Sequence, residues 1–399
     1  MMTAHSVPAE GSLTANDLKL RAQTVAAAAA SGAEAVDREG RFPSEAFSAA
    51  KAQRLLGILV PIDMGGEGAS ISDVVDVCYA VGRSCASTAM IFAMHQIMVA
   101  ILVRHARGSE WHDRLLRRLC ADQLLLGSST TEGQGGGNLR ASACAVEQNG
   151  GEMALTKAAT VISYGAQSDA ILTTARRSPD AAANDQVLVA LDKEDYQLER
   201  IVEWNALGMR GTCSDGFMLR GRGKIGQVLP EAYEKIHTHT MMPVAHLTWS
   251  GVWSGAAAGA VDRARRFVRG AARHGSGQLP PGAAHFTRAL ATLRALRGMI
   301  ASSLRRYEAA SDNSDELQSL EFQTAMNLLK VNASEMAIST VMSSFQACGL
   351  AGYRNDGEFS ISRSVRDILS SSIMLNNDRI LANVTTASLL SEVPAMLRD

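Results

Sequence analysis

The chain has 399 residues, of which 46% are hydrophobic and 20% charged, with a formal net charge of -1. That is enough chain for two or three packed domains, too apolar for extended disorder, and without the basic excess of a nucleic-acid binder. Six cysteines (Cys78, Cys85, Cys120, Cys144, Cys213, Cys348) are scattered, with no CxxC pair and no metal-ligand spacing. They read as buried free thiols in a reducing cytoplasm, and no metal is expected.

The first stretch, 1–15, is polar, lacks the regions of a secretory signal and is expected to be disordered. Helices are predicted over 16–123, the N-terminal helical domain. Leu18–Val36 is Ala-rich and helix-forming, and Phe42-Pro43-Ser44 opens a second helix. The glycine turn Met64-Gly65-Gly66-Glu67-Gly68 follows, and Ser70 or Ser72 is expected to cap the next helix. Ala86–Val103 approaches membrane-spanning length, but Ser87, Thr88, His95 and Gln96 interrupt it, so a core helix is expected rather than a membrane span.

Near Leu124 the pattern changes to short alternating runs, and 124–232 reads as a middle β domain. Asn149-Gly150-Gly151 signals a hairpin between Ala143–Gln148 and Glu152–Leu155. Ala170–Ala175 and Gln186–Leu191 read as strands, and Ile201–Leu219 as continuing the β region. From 233 to the end the helical period returns, with helices expected over His246–Arg273, Phe286–Ala310, Glu316–Cys348 and Ser364–Leu390. The expected fold class is mainly α with a central β domain.

Five motifs, in order, make this specific. They are Phe42-Pro43 with Gly57-Ile58-Leu59-Val60-Pro61 and Gly65-Gly66-Glu67-Gly68; Thr131-Glu132 with Gly135-Gly136-Gly137-Asn138; Leu207-Gly208-Met209-Arg210-Gly211-Thr212; Gln346-Ala347-Cys348-Gly349 with Gly352-Tyr353; and Arg366-Asp367. Together, from Phe42 to Leu390, the chain resembles the acyl-CoA dehydrogenase family. The resemblance implies that family's fold: an N-terminal helical domain, a barrel-like middle β domain and a C-terminal four-helix bundle. It also implies FAD. A flavin ring needs a flat apolar slot with donors at its N1–C2=O edge. Ser129, Thr130 and Thr131 are expected to supply them, with Ser163 and Tyr164 on a second strand. Arg273 with Gln346 and Gly349 corresponds to the segments that reach the pyrophosphate from a neighbouring subunit, which implies a homo-dimer or homo-tetramer. Two positions depart from the family pattern: Gly137 stands for a serine, and Ser276 for an aromatic.

Dehydrogenation of an acyl thioester needs a desolvated base for the α-proton. In most of the family this is a glutamate eight residues after the Asp of the Arg-Asp motif, which falls here on Leu375. A minority places it on the first long C-terminal helix, matching His246 to Trp249, where His246 is the candidate base. Asp378 is the nearest carboxylate to the usual position, roughly 300° further round a helix. Asn376 and Asn377 can donate hydrogen bonds, Asn377 to the flavin.

Three functions follow as expectations. The first is an FAD-dependent dehydrogenase of acyl-CoA or acyl-carrier-protein thioesters, passing hydride to flavin N5 and electrons to an electron-transfer flavoprotein. The second is a monooxygenase or N-oxygenase on the same fold, using reduced flavin from a reductase and dioxygen. The serine run Ser370-Ser371-Ser372 fits such a site. The third is a catalytically silent flavin-binding subunit.

Overall fold

A computed structural model describes residues 15–132, 141–274, 277–390 and 396. The stretch 1–15 lies outside the described residues but for Ala15, as do Gly135, Gly136, Gly137, Asn138 and Ser276.

Five helices lead: α1 (Ala15–Glu39), α2 (Ser44–Ala52), α3 (Ile71–Gly82), α4 (Ala86–His105) and α5 (Glu110–Asp122). Ser70, rather than Ser72, caps α3 in a reciprocal box with Asp73, which satisfies backbone donors the first turn leaves open. Helix α4 is long and apolar enough to cross a membrane by composition, but 89% of its apolar window is buried in protein. His95 and the Gln96 amide nitrogen are spent internally. His95 Nε2 donates to Leu56 O at 2.8 Å, and its Nδ1 accepts from Leu126 N at 3.0 Å. That pattern requires a neutral ring, and burial pushes its pKa down to about 4. The helix is thereby pinned to the first strand.

Seven strands follow among the described residues: β1 (Leu126–Ser129), β2 (Glu147–Asn149), β3 (Glu152–Ala159), β4 (Ala170–Arg176), β5 (Gln186–Asp192), β6 (Tyr196–Val202) and β7 (Gly216–Lys224). They form two sheets, ordered β1-β4-β5 and β2-β3-β7-β6. The inward faces share a core that includes Val146, Leu155, Ile171, Val189, Phe217 and Leu219. The hairpin turn lies at Gly150-Gly151, with Gly150 at φ +59 where a side chain would be strained. The expected run Ile201–Leu219 is not one strand. It breaks after Val202 and resumes at Gly216, and the segment between carries a 3-10 turn at Arg210–Thr212. Met209 (φ 53) and Cys213 (φ 46) flank that turn in left-handed backbone that no strand accommodates.

The last region holds α6 (Tyr233–Ile236), a π-helical turn at His237–Met241, then α7 (Met242–His274), α8 (Ala283–Ala310), α9 (Ser314–Gln318), α10 (Leu320–Cys348), α11 (Leu350–Tyr353), α12 (Ser362–Ile368), α13 (Ser370–Ile373) and α14 (Asn377–Leu390). Helix α10 packs on α7, α8, α12 and α14. Two expected helices are interrupted. Ser319 splits 316–348, because its side chain accepts from Phe322 N and restarts the helix as α10. The run Ser364–Leu390 becomes α12, α13 and α14, broken where Leu375 (φ 53) and Asn376 (φ 42) turn left-handed. The fourth member of the bundle is therefore a broken one, and its break faces the site.

Candidate functional site

All three regions converge on one cavity of about 370 Å³. The β region contributes Ser128, Thr130, Thr131, Val161, Ser163, Thr212 and Ser214. Helix α4 contributes Met90, Met94, Ile97 and Met98, the π-helical turn and the start of α7 contribute His237, Met241, Met242, Ala245 and Trp249, and the broken helix contributes Ser370, Ile373, Met374 and Leu375. Trp204 and Met209 complete it. A larger, more open groove of about 680 Å³ runs between α1, α3 and α7 past Asp76, Arg83 and Arg263. None of the five sequence motifs lines it, so the smaller cavity is where the chemistry is sought.

The β wall is a hydrogen-bonded hydroxyl chain. Ser163 Oγ lies 2.7 Å from Ser214 Oγ, which lies 2.7 Å from Thr212 Oγ1; Thr212 in turn donates to Met209 O at 2.8 Å. The Met209 turn is itself fixed from behind. Its backbone N–H donates to Asp367 Oδ1 at 2.6 Å, and Arg366 grips Asp37, with Nη1 to Oδ1 at 3.0 Å. A Cβ on Gly208 would fall 2.2 Å from Arg366 O, closer than any side chain tolerates. The Leu-Gly-Met-Arg-Gly-Thr and Arg-Asp motifs are thus two halves of one packed contact. Burial raises the Asp367 carboxyl to about 6, opposed by the Met209 hydrogen bond.

The residues expected at the flavin divide into three groups. Thr130, Thr131 and Ser163 line the cavity. Ser129 is next to it but points the other way, as strand alternation requires of the residue between Ser128 and Thr130; its carbonyl accepts from Thr173 Oγ1 at 3.0 Å. Tyr164 is fully buried, its hydroxyl donating to Leu126 O at 2.9 Å, and does not line the cavity. Asn377 lies behind the wall: its Oδ1 accepts from Lys330 Nζ at 2.6 Å and its Nδ2 donates to Ser334 Oγ at 2.9 Å. The fully buried Lys330, lowered by burial to about 8, sits 5.7 Å above the Trp253 ring. This cluster anchors the turn that presents Leu375. Arg273, Gln346 and Gly349 are exposed at the ends of α7 and α10, away from this chain's cavity. Gly137 is outside the described residues.

Neither expected base reaches the cavity wall. His246 is buried on the far side of Trp249, rings 5.9 Å apart, with Nδ1 donating to Met326 O at 3.0 Å. Burial lowers its pKa to about 3, and Nε2 is without a partner. Asp378 is exposed in the first turn of α14, its backbone N–H donating to Asn376 Oδ1 at 2.9 Å. Leu375, where counting from the Arg-Asp motif puts the usual glutamate, does line the cavity, and no carboxylate does so among the described residues. Sequence reasoning passed over His237, the single ionisable side chain on the wall among them. The spaced pair His237 and His239 at the start of a helical run was the signal available.

The fit to a flavin is tested by polar atoms left open. Thr131 Oγ1 and Trp249 Nε1 belong to wall residues, are buried, and have no partner among the described residues. Such atoms are costly unless a ligand satisfies them. A planar ring with N–H, nitrogen and carbonyl edges fits them and the apolar floor.

A helical frame, two small sheets and a hydroxyl-lined apolar slot define a flavin-dependent oxidoreductase. This chain belongs to the acyl-CoA dehydrogenase family: "Acyl-CoA dehydrogenase, N-terminal domain" matches residues 16–123 and "Acyl-CoA dehydrogenase, C-terminal domain" matches residues 239–390. Cyclohex-1-ene-1-carbonyl-CoA dehydrogenase of Geobacter metallireducens is 23% identical over 371 residues, covering 89% of this chain and 92% of that one. The dibenzothiophene monooxygenase TdsC of Paenibacillus sp. A11-2 superposes with TM-score 0.80 at 18% identity, covering 95% of this chain and 98% of TdsC; FMN-bound TdsC gives 0.82. Methanesulfinate monooxygenase MsuC of Pseudomonas fluorescens superposes with TM-score 0.80 at 19% identity, covering 96% and 98%. At that identity the structural likeness speaks for the fold.

Proposed function

We propose that this chain is a monooxygenase that uses reduced flavin and dioxygen on a small, uncharged, apolar substrate. The observation that carries this reading is the wall itself: Leu375 occupies the position where a dehydrogenase keeps its glutamate, and no carboxylate lines the cavity among the described residues. Without a desolvated base, the α-proton of a thioester has no acceptor. The substrate class follows from the remaining wall. Met90, Met94, Met98, Met241, Met242 and Met374 with Trp249 offer soft apolar contact, and among the described residues no arginine or lysine lines the wall for a charged group.

The flavin supplies two-electron chemistry with dioxygen when bound. Thr130, Thr131, Ser163, Thr212 and Ser214 would hold its polar edge, Trp249 would donate to it, and the methionines of α4 and α7 would exclude water. We favour FMN, the flavin held by TdsC, delivered reduced by a partner reductase. A homo-dimer or homo-tetramer is the assembly this reading favours, supported by exposed Leu350 and Tyr353 (76% and 70%) beside Gln346 and Gly349.

The test begins with anaerobic protein carrying oxidised FMN or FAD. Acyl-CoA thioesters should leave the flavin yellow, whereas reduction by an external reductase followed by ¹⁸O₂ should place one labelled oxygen in an apolar substrate such as a sulfur heterocycle or an indole. Bleaching by a thioester alone would overturn the proposal in favour of the dehydrogenase.

A further inference from the structure

We infer that His237 is the proton-handling residue of the cavity, aimed there by the π-helical turn; the inference rests on the monooxygenase reading above. Residues 237 and 241 both line the cavity, one turn apart, while the three residues between them are tied elsewhere. The Thr238 hydroxyl donates to Glu234 O at 2.9 Å, and its carbonyl accepts from Gln323 Nε2 at 3.0 Å. The Gln318 amide lies 2.8 Å from His239 Nε2 and, having only hydrogens to offer, donates to it. Thr240 Oγ1 lies 2.7 Å from His105 Nε2, and His105 Nδ1 lies 2.5 Å from Glu231 Oε2. Helices α4, α9 and α10 therefore grip the outer side of the turn and leave His237 and Met241 on the inner one. Tyr233 braces that inner side, its ring 5.9 Å from the His237 ring and its hydroxyl 3.2 Å from Met241 Sδ.

A π turn carries one residue more per turn than an α-helix and is retained at a packing cost, which is why such turns concentrate at functional sites. Here its product is the single ionisable side chain on the wall among the described residues. Oxygenation of a substrate consumes one dioxygen, two electrons from reduced flavin and two protons; one oxygen enters the substrate and the other leaves as water. A proton must reach the departing oxygen inside a cavity whose other polar side chains, among the described residues, are hydroxyls and indoles. The His237 imidazolium gives that proton and takes another from solvent, returning to its starting state.

The test uses the full chain with isotopically labelled histidine, the His237 ring signals being assigned by their loss in His237→Gln. Oxidised FMN added to the protein should shift those signals. His237→Gln should bind FMN within about twofold of the original while forming about 100-fold less oxygenated product, with the reductant's electrons recovered as hydrogen peroxide. Should the glutamine variant not fold, His237→Asn reads the same quantities. Ring signals indifferent to FMN, or coupled product formation undiminished in the variant, would overturn the assignment. If wild-type flavin is instead bleached by a thioester, the oxygenase reading falls, while the FMN-dependent shift still decides whether His237 faces the ligand.

Discussion

The two walls of the cavity are built on opposite principles. On the β side, Ser163, Ser214, Thr212, Met209 and Asp367 form a continuous run of hydrogen bonds between 2.6 and 2.8 Å. On the helical side, the wall is mostly thioether and aliphatic, with the Trp249 indole and the His237 imidazole set in it, and Tyr233 behind it donates to Met241 Sδ. Hydrogen-bond networks fix one geometry and penalise any loss of a partner, whereas methionine side chains fill irregular space and re-pack at small cost. The rigid wall suits the invariant part of the ligand, the flavin ring, and the soft wall suits whatever substrate lies against it.

Breaking the rigid wall should have the largest effect. Gly208→Ala would drive a methyl group into the Arg366 carbonyl, which sits 2.2 Å from the Cβ position. The backbone cannot yield without releasing Met209 from Asp367, so a loss of more than about 3 kcal/mol is expected, measured by denaturant unfolding. Gly208→Ala with unchanged stability would show that the turn is loose.

Acid should separate the two sides by sign. His95 and His246 on the helical side are neutral when folded, lowered by burial to about 4 and about 3. The unfolded chain takes up protons below about pH 6.5 that the folded chain refuses, so their contribution is complete above that pH and is lost as pH falls. Asp367, raised to about 6 by burial, acts oppositely: its folded carboxyl keeps a proton the unfolded chain has released, so it costs stability as pH rises through 4 to 6. His246→Gln should therefore flatten the acid limb, reducing the stability difference between pH 7 and pH 5 by about 2 kcal/mol, read from urea midpoints at the two values. Asp367→Asn should steepen it.

A smaller change is expected when one hydroxyl of the chain is removed. Thr212→Val leaves Ser214 short of a partner and should weaken FMN binding about tenfold, followed by flavin fluorescence. Smallest of all is Met94→Leu, a volume-conserving change on the soft wall. It should cost less than about 1.5 kcal/mol and leave FMN affinity unaltered while shifting relative rates among apolar substrates. A tenfold loss of FMN affinity in Met94→Leu would contradict the division of labour between the walls.

Much of the molecule was legible from pattern alone. The succession of helices, short strands and helices came from a change of hydrophobic period, and the hairpin at Gly150 from local turn chemistry, both of which depend on neighbours a few residues apart. The motif order pointed to the family, and the absence of a glutamate at Leu375 was visible by counting. What stayed hidden depended on contacts between distant segments. The pairing of Met209 with Asp367 spans 158 residues, and the left-handed break at Leu375-Asn376 is held by Lys330 and Asn377, 47 residues apart. Strand alternation put Ser128 on the wall and turned Ser129 away, because a one-residue step reverses the facing side, while Thr130 and Thr131 reach the wall beyond the end of β1.

By itself, then, the sequence determined the fold family and a flavin cofactor, since composition, period and motif are local properties. The tertiary structure alone decided which ionisable group meets the cavity. His246, on a helix of the expected kind, turns into the core towards Met326, while His237 is swung to the wall by a π turn gripped from α4, α9 and α10. The direction of a side chain on a helix is set by the winding of that helix and by what packs around it, and neither is written in the residue's own neighbourhood.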